Sequence, residues 1–370
     1  MKKVVGIYCG ELSEVKPWDE QTILENGGGG SETWAVEIAR NMQLYGYHVI
    51  VFGEPNCWKF CSSGVEYVPY QMFEHRCSYQ HFDYFISSRQ IREIGHFLKC
   101  PNVYIMAHDI SIHYANSAED LKLDRVKKIG YLSDYHKWAL QDWYKNKETG
   151  EILIPDEQML KVSNGIDMNL YSNWRSYEKE NMMVWSSRKE RGLSYFLKNV
   201  FPLIKESVPD FKVKICQYQD GFDLGELGDG VEFIGRIGKD ELSELQKRSK
   251  IWIYPNLGYY DDGITLFQET FCITAIENGA AGNVILAGNN GGLKTTLKGY
   301  DLLVGDEYNV DGFIYGDNAI HYARVLAGMA VSILTNDNLR KEKAEECVKI
   351  CSKYTWWNAA NKWIEEFNEQ

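Results

Sequence analysis

Short apolar runs alternate along the chain with longer segments whose apolar positions recur every three or four residues. The runs read as buried strands and the longer segments as helices with one packed face. In the first half the strands are Lys3–Tyr8, His48–Phe52, 82–87 (FDYFIS), 102–107 (NVYIMA) and 128–132 (KIGYL). In the second half they are 182–187, 212–216, 231–234, 251–254, 283–287 and 300–304. Between them, Trp34, Ala35, Ile38, Ala39 and Met42 define one helix, with Ser31 as its expected cap and Gly46 as its stop. Ser133 opens another that runs to about Lys145, with Trp138 expected on its packed face, and Lys239–Arg248 forms a third. Alternating units of this size predict α/β architecture with parallel sheets covered by helices. The polar, irregular stretch Leu170–Asn181 separates two such series, so a boundary is expected there, with domains 1–175 and 176–354.

Composition refines this picture at a few points. A chain of 370 residues exceeds one ordinary core, in keeping with two domains. A net charge of −12 argues against nucleic acid as the main partner. Nine scattered cysteines, with no Cys-x-x-Cys, read as reduced thiols of a cytoplasmic protein. The N-terminal apolar run breaks at once into an acidic loop, so it is expected to be a strand and not a signal peptide. No run reaches the ~18 apolar residues needed to span a bilayer. Membrane contact is therefore expected to be at most peripheral, at the inner face. Trp138, Trp143 and Tyr144 with Lys137 and Lys145 would form such a stripe, against the simpler reading of a packed helix face.

Three stretches carry candidate chemistry. Four glycines, Gly27 to Gly30, precede the first long helix and let backbone approach a phosphate or sugar. A dinucleotide site with Glu54 as ribose acceptor competes there, although Gly-x-Gly-x-x-Gly is absent. After the strand 182–187, Arg188 and Arg191 stand before Gly192, where guanidinium forks suit a diphosphate. The stretch FQETFCITAIENGAAGNVILAGNNGG, Phe267 to Gly292, reads as loop, helix, strand and glycine loop. Glu269 stands at the helix entry and Glu277 within it. A helix N-terminus attracts phosphate, and a carboxylate further along can accept both ribose hydroxyls.

That last stretch resembles the Glu-(seven residues)-Glu signature of retaining glycosyltransferases of the GT-B fold, in the large family numbered four. The resemblance extends over most of the chain through the glycine loop, His108-Asp109, the Ser133 segment, Ser163-Asn164-Gly165-Ile166-Asp167 and Arg191-Gly192-Leu193. It implies two Rossmann-like doubly wound domains facing across a cleft, with the C-terminal helix 355–370 returning to the first. It also implies a nucleotide-sugar donor, a UDP- or GDP-sugar, in the second domain, and a saccharide or lipid-linked acceptor brought by the first. Glu277 would bind the ribose. Arg191, Arg188, Thr270, Phe271 and Cys272 would surround the diphosphate, and Asn290, Gly291 and Gly292 the phosphate and sugar. Gly29 and Gly30 would lie beside the donor phosphate, and His108 and Glu269 near the transferred sugar. No metal or other cofactor is expected: Asp-x-Asp is absent, although Asp261-Asp262 is a tempting pair. Other classes stay open: a GT-B sugar-nucleotide epimerase or phosphorylase, a non-catalytic sugar-nucleotide binder, and an NAD-dependent dehydrogenase.

Overall fold

The computed structural model describes residues 2–10, 16–95, 98–216, 228–256, 268–304 and 316–369. Two compact units emerge, residues 1–165 with 355–370 and residues 166–354.

The first unit is built on one eight-stranded sheet. Its strands are β1 (Val4–Tyr8), β2 (His48–Gly53), β3 (Lys59–Phe60), β4 (Glu66–Pro69), β5 (Tyr84–Ser88), β6 (Asn102–Met106), β7 (Val126–Tyr131) and β8 (Met159–Lys161). The order is β3-β4-β2-β1-β5-β6-β7-β8, parallel throughout except for the short β3, which runs antiparallel to β4. Strands covered on both faces need continuous apolar sequence, and Val49 to Phe52 and Val103 to Met106 are fully buried.

The helix Trp356–Asn368 belongs to this unit, with Thr355 capping it through a bond from the Asn358 N–H. Trp363 is fully buried edge-on to Trp34, and Phe367 stacks on Tyr84 with ring centroids 4.0 Å apart. Burying each such ring contributes roughly 1.5–3 kcal/mol.

Two sequence expectations fail in this unit. The helix Gly30–Leu44 is capped by Gly29, not by Ser31, which lies inside its first turn and donates its hydroxyl to Glu32. In the helix Asp134–Trp143, His136, Ala139, Leu140 and Gln141 form the buried side, whereas Trp138 and Trp143 are exposed. The predicted packing of Trp138 rested on its spacing from Ala139 and Asp142. Instead, Leu140 and His136, four apart, take the inner face.

The second unit has strands β9 (Met182–Trp185), β10 (Lys212–Cys216), β11 (Val231–Gly235), β12 (Ile251–Tyr254), β13 (Val284–Gly288) and β14 (Leu303–Val304). They form two parallel ladders, β11-β10-β9 and β12-β13-β14. The ladders meet where the Lys250 N–H donates to the Met182 carbonyl at 3.2 Å and Glu180 pairs with Ser249. Read across this seam, the order β11-β10-β9-β12-β13-β14 is that of a doubly wound nucleotide-binding sheet, with its direction of winding reversing between β9 and β12.

The unit begins at Ile166, earlier than the polar stretch suggested. The intervening residues are anchored to it: Tyr171 donates to Gln246 at 3.0 Å, and the Trp174 ring fills the space a side chain at Gly282 would need. The helix after β9 changes from α-helical to a π turn over Phe196–Val200 before Pro202. Proline lacks the N–H that would continue the regular ladder, so the extra residue is accommodated there.

Candidate active site

Open α/β sheets bind ligands beyond the carboxyl ends of their strands, at the point where winding reverses. In the second unit that point lies between the ends of β9 and β12. Trp185 and Tyr254, the last residues of these strands, pack with ring centroids 5.7 Å apart. Beyond β9, Arg188 leads into a short turn, Lys189–Arg191, which Gly192 ends with a φ of 105°. A side chain there would be strained, so glycine fixes where Arg191 points.

Arg191 Nη1 lies 3.2 Å from Glu269 Oε1, although 78 residues separate them in sequence. The Glu269 side chain is only 3% exposed. Tyr254 donates its hydroxyl to the same carboxylate oxygen at 2.6 Å, Asn256 Nδ2 donates to the Tyr254 oxygen at 3.3 Å, and Asn290 Nδ2 donates to the Asn256 carbonyl at 3.1 Å. This chain joins the ends of β9, β12 and β13. Burial, followed by the Glu269 charge, pushes the Tyr254 phenol well above its usual range, so it remains a donor to Glu269. A buried carboxylate held by a guanidinium and a phenol is fixed in orientation.

The glycine at 292 has a steric cause. Its N–H donates to the Glu269 carbonyl at 2.5 Å, and a Cβ there would stand 2.4 Å from the Thr270 carbonyl oxygen. Gly291 precedes it with a φ of 50°. The helix expected to open at Thr270 instead begins at Ile273 and runs to Ala280. Cys272, with φ 74°, interrupts it: a left-handed residue cannot join a right-handed helix. Such strain in a non-glycine residue is found preferentially at ligand sites. Phe271 is buried edge-on to Tyr354, and its carbonyl accepts from Thr296 Oγ1 at 2.7 Å. No acid stands in the helix's own first turn, so the carboxylate acting most strongly at its start is Glu269, from outside the helix. Burial and the Glu269 charge raise the Cys272 thiol well above its usual range and keep it protonated.

Glu277 sits on this helix, 7% exposed, with Lys239 Nζ at 2.7 Å from its Oε1. Lys239 opens the helix Lys239–Arg248. Sequence reasoning missed Lys239, Tyr254 and Asn256. The only signal for the latter two was their place at the end of the run IWIYPN. Nothing in the sequence marks Lys239 apart from other lysines at helix entries.

In the first unit the winding reverses between β1 and β5. Arg89, just past β5, holds a φ of 68°, and its Nε donates to Asp109 Oδ2 at 3.1 Å. Its Nη1 approaches Ser31 Oγ at 3.4 Å, beside the glycine loop. A Cβ on Gly29 would meet the Glu32 carboxylate at 2.3 Å, and Gly30 is the first helical residue. His108 follows β6, edge-on to Trp34 with centroids 5.2 Å apart. Burial, then Arg89, pushes its imidazole well below the usual range, so it is neutral. Arg89 is a further residue that no sequence pattern singled out.

Among the described residues, no group of three or more His, Cys, Asp or Glu side chains could hold a metal ion. Asp261, Asp262 and most of the loop before Glu269 lie outside the described residues. Among the described residues, no helix is long and apolar enough to cross a membrane.

The family model described as Glycosyl transferases group 1 matches residues 172–320. No curated protein matches the chain in sequence. Among solved structures, the chain is similar to the sucrose-phosphate synthase from Thermosynechococcus elongatus, at 13% identity and a TM-score of 0.70, over 100% of this chain and 99% of that one. It is also similar to a glycosyltransferase from Rickettsia africae ESF-5, at 14% identity and a TM-score of 0.67, over 100% and 98% of the two chains. Anabaena HepE in complex with UDP-glucose is a third, at 13% identity and a TM-score of 0.63, over 99% and 100%. The fold is thus that of the GT-B glycosyltransferases, α/β units on parallel sheets, and the family match in the second unit supports a glycosyltransferase of group 1.

Proposed function

We propose that the chain is a retaining, metal-independent glycosyltransferase that moves a sugar from a UDP- or GDP-sugar to a saccharide or lipid-linked acceptor. The observation that carries this reading is the Arg191–Glu269 contact, 3.2 Å, at the point where the second unit's sheet reverses its winding. In this reading Glu277, held by Lys239, accepts the ribose hydroxyls. Arg191 and Arg188 and the N–H groups around Cys272 hold the diphosphate, with Gly291, Gly292 and Asn290 beside it. The UDP-glucose bound by HepE, whose fold is similar, favours a nucleotide-sugar donor. Gly29, Gly30 and His108 of the first unit are assigned to the donor phosphate and the acceptor side, with Arg89 and Asp109 next to them.

Catalysis rests chiefly on stabilising the departing diphosphate, where preorganised cations and N–H groups act without reorganising. The leaving phosphate takes the acceptor's proton on the face from which it departs, which retains the anomeric configuration. Glu269, fixed by Arg191 and Tyr254, is a charged wall beside the sugar and not a nucleophile. The test is a transfer assay with a panel of UDP- and GDP-sugars in EDTA, with the product anomer read by NMR. Transfer with retained configuration is expected, and Glu269→Gln should lower it by about 100-fold or more, the scale for removing one preorganised charge contact, while nucleotide binding stays within a few-fold. Inverted product, or transfer unaffected by Glu269→Gln, would refute the reading.

A further inference from the structure

The second unit holds a cavity of about 530 Å³ that shares no residue with the Arg191–Glu269 site. It lies at the opposite, amino ends of the strands: Lys179 stands just before β9 and Lys250 immediately before β12. Its wall is made of five cationic and three acidic side chains, with Trp174 and Tyr177 as its aromatic part.

These charges do not balance where they are best covered. Arg175 is taken by Glu345, through Nε at 3.0 Å and Nη2 at 2.5 Å. Arg340, whose side chain is 7% exposed, bonds Asp337 through Nε at 3.0 Å, and its two terminal nitrogens have no hydrogen bond among the described residues. Asp337 is itself 63% exposed and lies 3.6 Å from Lys341 as well. Lys179 donates only to neutral oxygens, those of Ser249, Ala281 and the Asn283 amide, at 2.9, 2.8 and 3.0 Å. Lys250 donates to the Asn181 amide oxygen at 2.7 Å. The buried Arg340 and the half-buried Lys179 and Lys250 therefore have one directly bonded carboxylate among them, the solvated Asp337, and the remaining acid of the wall, Glu178, is exposed. Leaving cations covered without counter-charge is costly, and a bound dianion would remove that cost. Burial and the neighbouring Arg340 push the Lys179 ammonium down to about 7, in line with this excess of positive charge. The N-terminus of the helix Asp337–Cys351 adds a dipole of the same sign.

We propose that this cavity is a phosphate-binding site, distinct from the donor site, in which Arg340, Lys179 and Lys250 receive a phosphate dianion. Its volume falls in the ~300–1,000 Å³ range of small-molecule sites, so it has room for the body of a small phosphate ester as well as for the free ion. Its chemistry does not depend on the sugar-transfer reading.

The test is calorimetric titration of the full chain at pH 7 with glucose 6-phosphate, inorganic phosphate and glucose, run in parallel on Arg191→Gln. One of the two phosphates should bind at a single site, equally in Arg191→Gln, and glucose should not. The tighter of the two identifies the source of the phosphate. Lys250→Gln and Arg340→Gln should each weaken binding at least tenfold. If Arg340→Gln does not fold, Lys250→Gln decides alone. Absence of binding by both phosphates, binding lost in Arg191→Gln, affinity unchanged in Lys250→Gln, or glucose binding as tightly as its phosphate would each overturn the assignment.

Discussion

Lys239 Nζ and Glu277 Oε1 lie 2.7 Å apart, although 38 positions separate the two residues in sequence. The pair ties the start of one helix to the middle of another, and Glu277 is the more deeply buried partner. Removing the lysine leaves a covered carboxylate without its counter-charge, which costs more than losing an exposed pair. Lys239→Met is expected to destabilise the protein by about 1–2 kcal/mol, allowing for the partial exposure of Lys239. It should also weaken nucleotide binding about tenfold, through misplacement of Glu277. Urea denaturation and calorimetry read the two effects separately, and a variant with unchanged affinity would remove Lys239 from the site.

Tyr254, the last residue of β12, holds Glu269 through its hydroxyl. Tyr254→Phe deletes the 2.6 Å bond to Glu269 and the acceptor used by Asn256. Each buried polar group left unsatisfied costs about 1–3 kcal/mol. The variant should fold with reduced stability and show a lower kcat with little change in KM for the donor, because Glu269 loses orientation and not charge. A rise in KM alone would place Tyr254 in donor binding instead.

Two glycines should respond oppositely to the same change. Gly292 has an ordinary φ of −65°, yet a Cβ there meets the Thr270 carbonyl oxygen at 2.4 Å. Gly292→Ala should therefore displace the backbone of Glu269 and Thr270, at a cost of roughly 1–3 kcal/mol. Gly328 lies exposed in the helix Gly316–Thr335, where a Cβ meets nothing within 4 Å. Gly328→Ala should stabilise by up to about 1 kcal/mol. Thermal melts of both variants check the pair.

His136 is fully buried and its imidazole is pushed down to about 4 by that burial. Its Nδ1 accepts from the Leu132 N–H at 3.2 Å, so Nε2 carries the proton donated to the Asp109 carbonyl at 2.8 Å. The folded value is below the unfolded value near 6.5. Between the two, the unfolded chain binds the extra proton, so stability falls as pH drops from about 6.5 to about 4. The loss is about 3 kcal/mol across that window, and the neutral His108 adds to it with the same sign. His136→Phe should start less stable at pH 7, having lost both hydrogen bonds, and show a shallower decline below pH 6.5. Urea midpoints measured from pH 7 to 4 give both slopes.

Apolar runs and helical periodicity marked most strands in the sequence, because parallel strands covered on both faces must be apolar throughout, as in Val49 to Phe52. Lys239–Arg248 and Ile251–Tyr254 were legible to the residue. Conformations set by the tertiary environment were not. Cys272 takes a left-handed φ that no thiol requires, which moved the helix start from Thr270 to Ile273. Gly29 displaced Ser31 as a cap because the glycine loop turns directly into the helix beside Glu32. The exposure of Trp138 and Trp143 follows from which side of the helix meets the sheet, which spacing alone left ambiguous.

The candidate residues divide in the same way. Arg191 and Glu269 stood out as charges at a strand end and a helix entry, and Glu277 by its spacing of eight residues from Glu269. Their partners Tyr254, Asn256 and Lys239 did not, because pairing across dozens of residues leaves no local pattern. The cavity around Arg340 was invisible for the same reason: its lining comes from segments as far apart as Lys179 and Asp337.

The central claim is that the second unit holds a nucleotide sugar through Glu277 without a metal ion. Calorimetric titration of the wild-type chain and Glu277→Ala with UDP-glucose and GDP-mannose, in the presence of EDTA, tests it most directly. Saturable binding of one donor by the wild type, abolished in Glu277→Ala, is the predicted result. Equal affinity in the variant, or binding that appears only when magnesium is added, would contradict it.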